Sequence, residues 1–174
     1  MRSVIYLSAL TFLISCAMTV PAKITIKYDR FNDYSTKRLW PVNVVISKDI
    51  FGAPKDVLQF SFNFISPGNK FIKPDKIRMR IKKWSTFTEG WQYLKSHRLV
   101  FIIDGQRVNI GELEHDGDVG HGFVTEYMYA DLTTDLFYQM ANAKSIEGQL
   151  FATEFKFSEE NIQALKDFAE VIPK

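Results

Sequence analysis

The sequence predicts an α+β fold that is mostly antiparallel β: a twisted sheet or sandwich of about seven to nine strands, with two helices in the C-terminal third. Three observations predict it. Short segments with an apolar residue at every second position dominate the first two-thirds of the chain. Turn-forming residues separate them, and the long crossover helices that parallel strands require are missing. Helical apolar spacing enters only after Thr133.

Each element has its own signal. Residues 23–28 place Ile24, Ile26 and Tyr28 in phase, and Val42, Val44 and Ile46 repeat the pattern after Pro41. Residues 57–65 are the most regular strand: Leu58, Phe60, Phe62 and Phe64 point one way, Gln59, Ser61 and Asn63 the other. Ser66-Pro67-Gly68-Asn69 supplies a turn, and residues 76–83 alternate again. Residues 99–103 are continuously apolar; Asp104-Gly105, with Val108 and Ile110 beyond, reads as a hairpin. Residues 123–129 form a further strand. Thr133 and Thr134 then precede Leu136, Phe137, Met140 and Ala141, a capped helix with Leu132 as its staple. Short strands follow at about 145–151 and 153–157. Ser158 caps a last helix whose first turn holds Glu159 and Glu160, favourable at the positive end of the helix dipole. Ile162, Leu165, Phe168 and Ala169 are its apolar stripe, and Pro173 stops it. Phe60, Phe62, Leu165 and Phe168 are accordingly expected in the core.

The first 22 residues are of a different kind. Arg2 precedes an apolar run over residues 4–15, and small residues follow. A basic start, a run of about 7–15 apolar residues and a small-residue exit describe a secretory signal peptide. The run falls short of the roughly 20 residues of a spanning helix. Leu13-Ile14-Ser15-Cys16 resembles the lipobox of bacterial lipoproteins. That resemblance covers four residues and the run before them. It implies cleavage before Cys16 and a diacylglycerol on its thiol. Val20-Pro21-Ala22 is the rival exit, and cleavage there discards Cys16. The expected address is the cell envelope through a lipid anchor, or the periplasm or medium without one. Residues 23–174 are then a single domain of about 150 residues, enough to bury close to 70 per cent of its unfolded surface.

Cys16 is the only cysteine, so the domain has neither a disulfide nor a thiolate zinc site. Its core must be built from side chains such as the 15 phenylalanines. With 22 basic and 20 acidic residues the chain is near neutrality, which does not suggest a nucleic-acid partner. No phosphate-cradling glycine loop, nucleophile elbow or cofactor motif appears.

Three constellations remain. Residues 112–122 gather Glu112, Glu114, His115, Asp116, Asp118 and His121 among glycines. They read as a solvated loop between strands; as an alternative, His115, Asp116, Asp118 and His121 are candidate ligands of a metal-dependent hydrolase. Lys76, Arg78, Arg80 and Lys82 share one face of their strand, with Lys70 and Lys73 upstream. Such a row suits an anionic partner or lipid headgroups, or else protects an exposed sheet edge. Trp84, Phe87, Trp91 and Tyr93 crowd a stretch where alternation breaks down; core packing is their expected role, a carbohydrate or peptide platform the alternative. His97 is expected to be a half-buried structural residue. The functional expectation is a non-enzymatic exported domain that binds a partner protein or an anionic envelope component, near a membrane surface if Cys16 is acylated.

The leader makes a direct prediction. Intact mass of the protein taken from its native membrane or medium should lack residues 1–15 or 1–22. A diacylglycerol increment on a chain starting at Cys16 selects the anchored form, and Cys16→Ser should then abolish membrane partition. A mass that includes Met1 contradicts processing.

Overall fold

The computed structural model describes residues 20–68 and 72–173. Cys16, the run before it and Lys70 lie outside the described residues. Ten strands and two helices follow in chain order: β1 (Lys23–Asp29), β2 (Tyr34–Lys48), β3 (Pro54–Pro67), β4 (Lys76–Thr86), β5 (Arg98–Ile103), β6 (Gln106–Glu112), β7 (Glu114–Gly120), β8 (Phe123–Thr133), α1 (Thr134–Ala141), β9 (Ile146–Leu150), β10 (Thr153–Lys156) and α2 (Glu159–Glu170). All strand pairs are antiparallel. One sheet has the order β1-β2-β3-β4-β8-β7 and the other β10-β9-β5-β6, in a sandwich-like arrangement. The predicted class holds.

Alternation decides what faces inward. Leu58, Phe60, Phe62 and Phe64 of β3 are buried as expected. The Phe60 ring lies 5.5 Å from Phe155 and 5.1 Å from Phe157, which come from the smaller sheet and the segment after it. Phe62 meets Phe137 of α1 at 5.4 Å, and Phe64 meets Phe168 of α2 at 5.8 Å. One strand therefore touches both the second sheet and both helices. The same period carries Lys37, across from Phe64, to the inner face, where it is 2% exposed and donates to Ser66 Oγ at 3.2 Å.

Both helix starts match the sequence reading. The Thr133 hydroxyl accepts from the Leu136 N–H at 3.2 Å. Ser158 and Asn161 cap each other reciprocally. Leu165 and Phe168 are fully buried.

The structure corrects three readings. β2 does not begin after Pro41; it runs from Tyr34 through Pro41. A register shift between Leu39 and Val42 lets a residue without an N–H sit inside the strand. Residues 114–120 are not a loop but β7, paired with β8 from Glu114↔Tyr129 to Gly120↔Phe123. Their lack of apolar alternation is the reason they read as a loop. It is tolerated because β7 is a sheet edge with most of its side chains in solvent. Of the four aromatics in residues 84–93, only Tyr93 is core; Trp84 is 42% and Phe87 68% exposed.

The interior position of Phe62 yields a stability prediction. Phe62→Ala should lower the unfolding free energy by about 3–5 kcal/mol, read from the denaturation midpoint. An unchanged midpoint would overturn the inward assignment of β3.

Candidate binding face

β4 lies in the middle of the larger sheet, between β3 and β8, so its basic row does not protect an edge. Ile77, Met79 and Ile81 are buried on one side, and Lys76, Arg78, Arg80 and Lys82 emerge together on the other. Cross-strand neighbours set the surroundings of the row. Arg78 stands opposite Asp131, Arg80 opposite Tyr129 and Lys82 opposite Tyr127. The Arg78 guanidinium lies 5.1 Å from the Tyr129 ring centre, and Arg80 lies 5.7 Å from that of Tyr127. The Lys82 ammonium sits 4.1 Å over Trp84. The aromatic rings thus brace the cations against the sheet.

Not all of the row is neutralised. Arg78 pairs with Glu114 and, at 3.3 Å, with Asp131; the Glu114 hydrogen bond holds its proton more firmly than usual. Arg80 makes no ion pair among the described residues, and its Nε is buried without a hydrogen-bond partner. A buried donor without an acceptor costs about 1–3 kcal/mol. Arg78 and Arg80, together with Arg38, Ser61, Asn63 and Tyr129, line a pocket of about 150 Å³. Arg38 reaches it from β2 because Arg38, Asn63 and Arg78 are successive partners across β2, β3 and β4. Among the described residues no carboxylate lines the pocket. The sequence row located Arg78 and Arg80 but could not reveal Arg38, which belongs to a strand 40 residues earlier in the chain. Lys76 and Lys82 lie on the same face outside the pocket lining.

The acidic and histidine stretch is divided by the pleat of β7. Asp116 pairs with Tyr127 and Asp118 with Thr125, so both share the outer face with the basic row, two strands or roughly 10 Å away. His115 pairs with Met128 and points to the inner side. His121 occupies the β7–β8 turn with φ of 52°. The four candidate ligands are not brought together. Among the described residues no group of three or more His, Cys, Asp or Glu is placed to hold a metal ion.

His115 instead belongs to a buried pin. Glu126 is 0% exposed and accepts from the backbone N–H groups of Gln92 at 2.8 Å and Tyr93 at 2.9 Å. His115 Nε2 lies 3.1 Å from the same carboxylate. The His97 ring stacks on His115 at 5.3 Å. The His97 backbone N–H donates to Glu112 at 2.8 Å, and that bond holds the Glu112 carboxyl below the usual range. Trp91 lies against Gly117, where a Cβ would come within 2.2 Å of the indole, so only glycine admits the ring. These contacts fasten residues 87–97, which carry the chain from the large sheet to the small one. Buried Tyr93 completes the fastening through its hydroxyl, which donates to Thr153 at 3.1 Å.

A larger hollow of about 540 Å³ lies over the small sheet, with Val100, Ile102 and Phe155 in its lining. Its charged residues are balanced, Arg107 and Lys156 against Glu147 and Glu154, and Lys156 pairs with Glu147 at 3.1 Å. Comparison of the chain with protein families, curated proteins and solved structures finds no match.

Burial pushes the Tyr93 hydroxyl up to about 12, from an ordinary value of 10.0. Above pH 10 the tyrosine of the unfolded chain ionises while the folded one keeps its proton. This contribution to stability is therefore full below pH 10 and is lost as pH rises toward 12. Denaturation between pH 7 and 12 should show a shallower alkaline loss for Tyr93→Phe, from a lower neutral starting point because the Thr153 bond is gone. A wild-type slope would assign the alkaline loss to other groups.

Proposed function

We propose that the chain is an exported, non-enzymatic domain, held at the cell envelope through Cys16, that binds an anionic envelope component on the outer face of its larger sheet. The observation that carries the reading is the pocket of Arg38, Arg78 and Arg80. Three guanidinium groups share a small depression without a lining carboxylate, and the Arg80 Nε is buried without an acceptor. Guanidinium forks match the planar or tetrahedral oxygens of carboxylate, sulfate and phosphate. Ser61 and Asn63 add side-chain donors beside them. Tyr127, Tyr129 and Trp84 hold the cations of the same row in place. The acidic edge of Glu114, Asp116 and Asp118 bounds the face on one side. It favours a ligand whose anionic groups lie along β4 and not across the sheet.

The chemistry recognised is an oxyanion repeated along a polymer or displayed on a surface. Polyphosphate is a suitable soluble probe, because it carries the charge without a lipid. The full mature protein should bind it, and more weakly as salt rises. Arg80→Gln and Arg38→Gln should each weaken binding about tenfold, the loss of one charge-assisted hydrogen bond of about 1.5 kcal/mol. Both are better variants than Arg78→Gln, which also strands Glu114 and Asp131. Lys166→Gln on α2 is the control and should change nothing. Binding that ignores salt, or that survives both arginine changes, would overturn the assignment of this face.

A further inference from the structure

We infer that the end of the larger sheet carrying the β2–β3 turn is a membrane-contacting end. Its apolar tips, Ile50, Phe51 and Phe87, enter the headgroup region of a bilayer. The inference rests on the reading of Cys16 as the anchor. Ile50 is 92%, Phe51 88% and Phe87 68% exposed, and Phe123 nearby is 51% exposed. Antiparallel order puts them at one end. The β2–β3 turn follows Lys48, Phe87 follows the end of β4, and its N–H donates to Gly122 in the β7–β8 turn at 3.0 Å. Ser47 of β2, Lys55 of β3, Thr86 of β4 and Phe123 of β8 line one depression there, so these strand ends lie side by side.

Two further observations point to lipid as the occupant. The first is where the chain enters. β1 pairs Lys23 with Trp40, and the chain before it continues toward the β2–β3 turn. The Asn43 amide donates to Val20 O at 3.4 Å, and Val20 and Pro21 line a depression with Lys48, Gly52 and Pro54. Three residues separate Val20 from Cys16, and the four Cα-to-Cα steps reach at most ~14 Å. An acylated Cys16 would therefore hold this end, and not the opposite one, against the bilayer. The second is the state of the turn's own backbone. The N–H groups of Phe51 and Ala53 both donate to the Asp49 carboxylate at 2.9 Å. Asp49 N–H donates to Ala53 O at 2.8 Å, and Gly52 N–H to Asp49 O at 3.0 Å. The N–H groups of Asp49, Phe51, Gly52 and Ala53 are thus bonded within the turn, which lowers the cost of moving it out of bulk water. Charge does not select the lipid. Lys48 and Lys55 are offset by Glu89, Glu159 and Glu160 around the same end. Insertion is driven by apolar area, so zwitterionic lipid suffices.

Phe31 provides the internal control. It is 84% exposed, but it sits in the β1–β2 turn at the other end of the 15-residue strand β2, roughly 45 Å away. Headgroup regions are only some 5–7 Å thick on each side of a bilayer, so both ends cannot enter one interface.

The test uses the scarcity of thiols. Cys16 is the only cysteine, and either acylation or cleavage after Ala22 would leave the mature protein without a free thiol. Phe51→Cys, Phe87→Cys and Phe31→Cys, made separately in the full chain and isolated mature, each present one thiol for an environment-sensitive nitrobenzoxadiazole label. With phosphatidylcholine vesicles, the labels at 51 and 87 should shift to the blue and be quenched by spin-labelled lipid. The label at 31 should do neither, and high salt should leave the pattern intact. Equal responses at 31 and 51, or no response at 51, would overturn the membrane end. Intact mass of the same preparations decides the anchor separately. A mature chain without the diacylglycerol increment overturns the anchored reading, whatever the labels report.

Discussion

The contact of β3 with everything around it is the constraint on which the molecule depends. Phe60 stands fully buried against the smaller sheet, Phe62 against α1, and Phe64 continues the row to α2. The domain has no disulfide to shorten its unfolded chain, so the burial of these rings must offset the conformational entropy lost on folding. Aromatic side chains suit the task. Each removes a large apolar area from water and adds a preferred tilted geometry, seen here between Phe60, Phe155, Phe157 and Phe101. The smaller sheet and both helices are placed by how they meet that row.

Once β3 is fixed, its opposite face is fixed with it. Gln59, Ser61 and Asn63 must point outward because their neighbours point inward. On β4, Arg78 and Arg80 do so for the same reason. The candidate oxyanion pocket is thus a by-product of core packing and needs no special loop. It is carried on central strands, the most rigid place in a sheet, which suits recognition of a fixed charge pattern. The buried Glu126, held by two backbone N–H groups and His115, keeps residues 87–97 against β7 and β8. It is a polar fastening inside an apolar fold, and it is affordable only because each of its acceptors is satisfied.

The proposed binding face and the proposed membrane end occupy different parts of the molecule. The charged row looks out from the broad face of the sheet. The apolar tips and the incoming chain share one end of it. A domain standing on that end would present the face sideways, parallel to the bilayer normal, with its anionic ligand reached from the space beside the membrane. The proposed face would respond to salt and the proposed membrane end would not, because one is lined by charged and the other by apolar side chains.

By itself the sequence determined most of the secondary structure, the inward residues of β3 and β4, both helix caps and the one-sidedness of the basic row. All of these depend on side-chain period and on residues within a few positions of one another. Only the tertiary structure decided the rest. β7 could not be read, because an edge strand with polar residues on both faces has no period-two signal. That Lys37 would be buried and His115 held by Glu126 depended on what lies across the strand, not along it. The central place of β4, and the entry of Arg38 into its pocket, came from strand order. Strand order is set by which buried faces fit together, and residues 40 positions apart leave no mark of that fit in a single chain.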